Sequence, residues 1–215
     1  MSYSKSLYDA ILNGHDKAAI AAVREALASN PDPMELVQTT MIPAMEEVGR
    51  LFESEEYFVP ELLLSGRAMR GAIDLLRPLL AASGARPIGR VVIGTVAGDL
   101  HDIGKNLVAS MLQGGGFEVT DLGADVKPQQ FIEAVKATNA DIVGLSALLT
   151  VTMPSMKVTM DALRASGIRD RVKVMIGGAP VTRQYCEAIG ADGYCEGAGG
   201  VVAMARSFIE ARHAN

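Results

Sequence analysis

Arg90-Val91-Val92-Ile93-Gly94-Thr95-Val96-Ala97-Gly98-Asp99-Leu100-His101-Asp102-Ile103-Gly104-Lys105 is the stretch that decides the fold of this chain. Its first six residues make a largely apolar, β-branched run, as a strand covered on both faces requires. Gly98 and Gly104 then bracket a turn, and helical spacing begins near Gly104. Four more apolar runs follow the same plan: Val119 to Leu122, Ile142 to Leu145, Val172 to Ile176 and the short Gly193-Tyr194. Helical segments opening near Pro128, Pro154, Thr182 and Gly199 come after them. Strands that alternate with helices pair in parallel through right-handed crossovers. The expectation is an α/β chain whose C-terminal part is a flavodoxin-like (Rossmann-type) doubly wound domain with a five-stranded parallel sheet. In such sheets ligands bind beyond the carboxyl ends of the strands, where Gly98 to Lys105 falls.

Upstream of Arg90 the pattern is helical. Leu7, Ile11 and Leu12 have helical spacing, Asn13-Gly14 interrupts, and His15-Asp16 opens a run through Ala18, Ala19, Ala22, Val23, Ala26 and Leu27. Asn30-Pro31-Asp32-Pro33 reads as a stop and a start, with Asp32 as N-cap and Pro33 at the first helical position. A third helix follows through Leu36, Val37, Met41, Met45, Val48 and Leu51, with Pro43 as a kink point. A fourth runs from Val59 to Leu76 and is expected to break at Pro78. Four helices joined by short loops predict a four-helix bundle. Ala81 to Gly89 has linker composition, so the division is a helical domain over 1–85 and an α/β domain over 86–215.

Charge excludes some partners. The net charge is −5 and no Lys/Arg cluster occurs, which argues against nucleic acid or an anionic membrane as partner. No apolar run reaches the ~20 residues of a spanning helix, and Met1-Ser2-Tyr3-Ser4-Lys5 lacks a signal peptide's apolar segment, so a cytoplasmic location is expected. Cys186 and Cys195, nine apart, form neither a disulfide framework nor a Cys-x-x-Cys pair.

Asp99-x-His101 carries the chemistry. A carboxylate two residues before a histidine can fix the ring's tautomer, leaving the other nitrogen to bind a metal or move a proton. Ser146, closing the strand Ile142 to Leu145, can lie on a neighbouring strand end and complete a serine, histidine and aspartate set. A hydrolytic triad is disfavoured, because a nucleophile elbow needs glycine two residues after the serine and Leu148 stands there. Gly94, Gly98, Gly104, Gly144 and Gly177-Gly178 sit beside strand and helix ends, where a missing side chain lets a large ligand approach the backbone. No dinucleotide or nucleoside triphosphate phosphate loop follows any strand.

Asp99-x-His101-x-x-Gly104, then Ser146-x-Leu148 and Gly177-Gly178, resembles the cobalamin-binding signature of corrinoid proteins. Met45-Glu46-Glu47-Val48-Gly49-Arg50-Leu51-Phe52 and Tyr57-Phe58-Val59-Pro60-Glu61 resemble the helical cap that precedes the cobalamin domain in methionine synthase and in stand-alone corrinoid proteins of methyltransferase systems. The resemblance spans roughly residues 5 to 210. Gln38 departs from it, standing where methionine synthase carries an acidic cap residue.

The resemblance implies cobalamin, as methylcobalamin or a related corrinoid, bound base-off with His101 as the lower axial cobalt ligand. Asp99 would accept a hydrogen bond from His101, and Ser146 would bond Asp99. Methyl-cobalt(III) favours a basic axial ligand and cobalt(I) has none, so this relay would couple ligand loss to proton uptake. Gly98, Asp102 and Gly104 would shape the turn; Leu148, Thr150, Gly177, Gly178 and Ala198 would line the groove for the cofactor tail; Phe52 and Val59 would cover the methyl-bearing face. A closed cap would exclude water and would have to move aside for methyl transfer.

The function so implied is a methyl carrier, a component of a methyltransferase system and not a complete enzyme. A substrate:corrinoid methyltransferase would load the methyl group, a second methyltransferase would pass it to tetrahydrofolate or coenzyme M, and a reductive activase would restore the cofactor. An alternative is the cobalamin-binding small subunit of an adenosylcobalamin-dependent mutase, which shares the Asp-x-His-x-x-Gly turn; a closed Phe52 lid argues against the bulky adenosyl group. The methyl donor is not written in this chain, because the discriminating pocket would lie in the partner.

Overall fold

The computed structural model describes residues 2–29, 32–82 and 87–213. The chain divides into two compact units: Met1–Pro87 with Ser110–Gly116, and Ile88–Ala109 with Phe117–Asn215.

The first unit is helical, with α1 over Ser2–Leu12, α2 over Asp16–Ala28, α3 over Pro33–Leu36, α4 over Ile42–Glu53 and α5 over Val59–Ala82. Leu7 and Ile11 of α1 are fully buried, as are Ala19, Val23 and Ala26 of α2, so the apolar stripes seen in the sequence form the core. Asp32 caps α3, its Oδ1 accepting from the Met34 N–H at 2.9 Å, and Pro33 occupies the first turn. The kink expected at Pro43 takes a particular form. Val37–Met41 is a π turn joining α3 to α4, and the Ile42 N–H reaches back to the Val37 carbonyl. Proline has no N–H, so the helix widens just ahead of the position where an ordinary bond would be lost.

Pro78 does not break the fourth helix, contrary to the expectation: α5 continues through it to Ala82. A proline removes one intrahelical bond, and Leu76 one half-turn before it is fully buried, so packing of the helix face outweighs that loss. Asn30-Pro31 and the linker residues 83–86 lie outside the described residues.

The second unit is the predicted doubly wound sheet. Its strands are β1 (Arg90–Thr95), β2 (Glu118–Asp121), β3 (Ile142–Ser146), β4 (Lys173–Gly177) and β5 (Gly193–Cys195). All neighbours pair in parallel, in the order β2-β1-β3-β4-β5. Between them run α6 (Ile103–Gly114), α7 (Pro128–Thr138), α8 (Pro154–Ala165) and α9 (Arg183–Ile189), with α10 (Val201–His213) last. Five of the six residues of β1 are buried, as a central parallel strand covered on both faces demands. Val92, Val143 and Val174 of the central strands pack with Phe131, Met156 and Met160 in one core, each fully buried. A 3-10 turn at Arg169–Arg171, before β4, has no signal in the sequence pattern.

Candidate functional site

Strand order reverses between β1 and β3, and the loops leaving these two strands flank that point. Residues 96–102 follow β1, and residues 147–153 follow β3. Gly178 and Ala198 leave β4 and β5 along the same carboxyl edge, because the strands are parallel and adjacent.

Asp99 is the centre of the arrangement. Its side chain is completely buried, and its two oxygens accept five hydrogen bonds. Oδ1 accepts from the His101 backbone N–H at 3.0 Å and lies 2.7 Å from His101 Nδ1. Oδ2 accepts from the Leu148 and Leu149 N–H groups at 2.7 and 3.3 Å, and from the Thr152 hydroxyl at 2.7 Å. Burial works to raise the carboxyl's pKa, but the Thr152 hydroxyl, the His101 and Leu148 backbone N–H groups and the His101 ring outweigh it and hold it well below the usual carboxylate range. An ionised Asp99 can only accept, so it selects the His101 tautomer with the proton on Nδ1. The His101 side chain is 51% exposed, and Nε2 is left with a free lone pair.

The turn is itself supported. Gly98 has φ +85 and donates its N–H to Asp125 Oδ1 at 2.7 Å; Asp125, also at positive φ, returns its own N–H to the Asp99 carbonyl at 2.9 Å. A left-handed residue at position 98 suits glycine. Thr95 Oγ1 donates to the His101 carbonyl at 2.8 Å, tying the far side of the turn to the strand end.

The structure corrects one assignment. Ser146 does not supply a bond to Asp99: among the described residues that oxygen's hydroxyl partner is Thr152, six residues further on. Ser146 ends β3 in register with Thr95 and Gly177, half-buried, its carbonyl accepting from the Val96 N–H at 3.0 Å. The chain turns back after β3, the Thr152 N–H bonding the Leu149 carbonyl, and this return delivers the Thr152 hydroxyl to the carboxylate. Thr152, the Leu148 and Leu149 N–H groups, Asp125 and Lys105 escaped the sequence reading. The one available signal was a hydroxyl residue just ahead of the Pro154 helix start.

The other predicted residues fall as follows. Asp102 precedes α6 and accepts from Asn106 through both its carbonyl and Oδ2. Lys105 is buried and paired with Asp121 at the end of β2. Leu148 and Thr150 are exposed on the loop after β3, and Ala198 is buried between β5 and α10. Gly177 ends β4, and at Gly178, with φ +133, a Cβ would collide with the Ala147 carbonyl. Phe52, half-buried in α4, and Val59, exposed at the start of α5, belong to the helical unit, as does Gln38 in the π turn.

Against known families, residues 89–205 match a B12 binding domain, and residues 3–77 match a second model with the same description. Dimethylamine corrinoid protein 1 of Methanosarcina acetivorans is 41% identical over 95% of this chain and 96% of its own. The chain belongs to the B12-binding corrinoid proteins. Trimethylamine corrinoid protein 1 of the same organism is also 41% identical, over 94% of both chains. Among solved structures, the methanol:cobalamin methyltransferase complex MtaBC of Methanosarcina barkeri aligns with a TM-score of 0.85 at 29% identity, covering 97% of this chain and 80% of that one. A cobalamin-binding protein from Desulfitobacterium hafniense aligns at 0.77 and 36% identity, covering 95% and 98%. This corrinoid protein is thus a methyl carrier of a methyltransferase system, and its cofactor is a corrinoid.

The residues present fit that cofactor. Among the described residues no group of three His, Cys, Asp or Glu side chains could hold a metal ion, whereas a corrin needs one ligand from the protein at most. A Cβ at Gly104 would meet nothing within 4 Å, so the chain's own packing does not demand glycine there and the space is open to a ligand. Leu100, Ile103 and Val151, on the same loops as His101 and Thr152, are 76, 67 and 79% exposed, an apolar surface suited to a macrocycle. No described helix is long and apolar enough to cross a membrane.

Proposed function

We propose that His101 Nε2 is the lower axial ligand of the corrinoid cobalt and that Asp99 sets its tautomer and orientation. One observation carries this reading: Nδ1 is committed to a buried, ionised carboxylate at 2.7 Å, while the other ring nitrogen remains available on a half-exposed ring. When bound, the corrinoid supplies a cobalt centre that accepts a methyl group from one protein partner and yields it to another. The chain's part is to hold that centre. Gly98 and Gly104 make room at the turn, Leu148, Thr150, Gly177, Gly178 and Ala198 line the tail groove, and Ser146 stands beside it. The helical domain over 1–85 supplies Phe52 and Val59 to the methyl-bearing face, an assignment that rests on the family resemblance alone; the corrinoid-binding domain is 86–215.

The partners proposed are a substrate:corrinoid methyltransferase, a methyltransferase acting on tetrahydrofolate or coenzyme M, and a reductive activase, all in the cytoplasm. Relatives named for dimethylamine and trimethylamine favour a methylated amine as the first methyl donor to assay. Reconstitution with methylcobalamin tests the reading. The bound spectrum is expected to be base-off and histidine-on, and His101→Ala is expected to abolish it; an unchanged spectrum and affinity in that variant would refute the assignment.

A further inference from the structure

Residues 121–126, the end of β2 and the loop after it, are tied along their length to the turn that carries His101. At the near end Asp121 pairs with Lys105, whose side chain is 1% exposed and whose Nζ also donates to Asn106 Oδ1 at 2.6 Å. Further along, the Thr95 N–H donates to the Gly123 carbonyl and the Val126 N–H to the Thr95 carbonyl, each at 2.9 Å. At the far end Asp125 and the turn bond reciprocally. Asp125 Oδ1 accepts the Gly98 N–H at 2.7 Å, and the Asp125 N–H donates to the Asp99 carbonyl at 2.9 Å.

Asp125 is the unusual member of this set. It is exposed, so no core packing calls for its side chain, and its φ of +53 is a left-handed backbone uncommon outside glycine, asparagine and aspartate. Among the described residues the Gly98 N–H is the one hydrogen-bond donor to its carboxylate, and a bond to a carboxylate is stronger than one between neutral groups. Gly98, at φ +85, is the most pliable residue of the turn and stands directly before Asp99. The two Asp125 bonds grip the peptide groups on either side of the Gly98–Asp99 pair. They therefore fix the direction in which the Asp99 side chain leaves the backbone.

We propose that Asp125 is a positioning residue for corrinoid binding: from the loop after β2 it clamps the backbone of Gly98 and Asp99, so that the histidine-bearing turn already holds its binding conformation before the cofactor arrives. This rests on the reading of His101 as the corrinoid ligand, but part of its test does not. Without the clamp the turn is competent for only a fraction of the time, and the apparent affinity falls by that fraction. The complex, once formed, is the same.

Asp125→Asn keeps an oxygen acceptor on a residue that tolerates the left-handed backbone, whereas Asp125→Gly keeps the backbone and deletes the acceptor. In cofactor-free 15N-labelled protein, the Gly98 amide of the wild type and of D125N is expected to resist solvent exchange, and that of D125G to exchange about 10-fold faster. With methylcobalamin, D125G is expected to bind about 10-fold more weakly, chiefly through slower association, and to reach the wild-type histidine-on spectrum at saturation; D125N stays with the wild type. Should D125G not fold, D125A carries the same expectations. Wild-type Gly98 protection and affinity in D125G overturn the proposal, whatever its thermal midpoint, because Asp125 then serves the fold alone. An equal loss in D125N overturns it too, since the charge and not the clamp is then what matters. If the wild type takes up no cobalamin, the axial-ligand reading fails, and the cofactor-free exchange rates still judge the clamp.

Discussion

The two ends of the sheet in the second unit each hold a sheltered aspartate, and they hold it differently. At the amino end of β4, Asp192 is 16% exposed; it accepts from Arg169 at 2.7 Å, from Lys173 at 3.3 Å and from the Val174 N–H at 2.8 Å. At the carboxyl end of β1, Asp99 is fully buried, yet none of its five bonds comes from a fixed cation. Asp192 is a neutralised joint: its charge is compensated on the spot, and the surrounding Arg164, Arg171 and Arg212 line a cleft of about 430 Å³ with it. Asp99 keeps its charge through neutral donors, and the one partner able to answer that charge is an imidazole. A buried carboxylate without a cation biases whatever titratable or metal-binding group stands beside it. The first arrangement is spent on holding the fold, and the second is left over for chemistry.

Removing the charge at the carboxyl end should have the largest effect. Asp99→Asn turns an amide N–H towards the Leu148 and Leu149 N–H groups, or else towards His101, so donors face donors whichever way it sits. A loss of about 10- to 100-fold in cobalamin affinity is expected, with the histidine-on spectrum gone, read by titration and absorbance. Asp192→Ala tests the other end. It should lower the unfolding free energy by about 2 kcal/mol in urea, since it strands two cations and a backbone N–H, and should leave cobalamin affinity and spectrum alone. A cofactor phenotype for that variant would erase the contrast between the two ends.

Cys195, at the end of β5, is a sheltered group of a third kind, uncharged at neutral pH. Burial pushes its thiol up to about 11, with the neighbouring Cys186 adding to the shift. A pKa raised in the folded state means that the unfolded chain releases this proton first. The stability it contributes is complete below the unfolded thiol value of about 8.5 and is lost as pH rises from there through 11. Urea unfolding of the wild type should therefore weaken by roughly 2 kcal/mol between pH 8 and 11, and Cys195→Ala should flatten that part of the profile. Gly104→Ala should have the smallest effect on the fold. Its Cβ meets nothing, and alanine favours a helix start over glycine, so cofactor-free stability should hold or rise by up to about 0.5 kcal/mol. Weaker cobalamin binding alongside that gain would mark the space above Gly104 as the ligand's; unchanged binding would remove Gly104 from the site.

The legibility of this chain differs between its parts for a physical reason. Strands such as Arg90–Thr95 and Ile142–Ser146 are short apolar runs bounded by glycine or a turn, and helices α7 and α8 open on Pro128 and Pro154; period and punctuation are local and can be read along the chain. Pro43 was readable as a disturbance but not as a π turn, and Pro78 was misleading, because whether a helix tolerates proline depends on what its faces pack against. The family signature placed Asp99, His101 and Gly104 in one turn, and the strand order β2-β1-β3 put that turn at the switch point.

By itself the sequence determined the alternation of strands and helices, the parallel five-stranded sheet, the helical unit before it, and the pairing of a histidine with an aspartate two residues earlier. Only the tertiary structure decided who completes that pair. Strand adjacency nominated Ser146, the last residue of β3, but the backbone continues past it, folds back through the bond from the Thr152 N–H to the Leu149 carbonyl, and brings Thr152 to the carboxylate instead. Residues two apart meet through local geometry, whereas residues 53 apart meet only where a loop's own hydrogen bonds steer them.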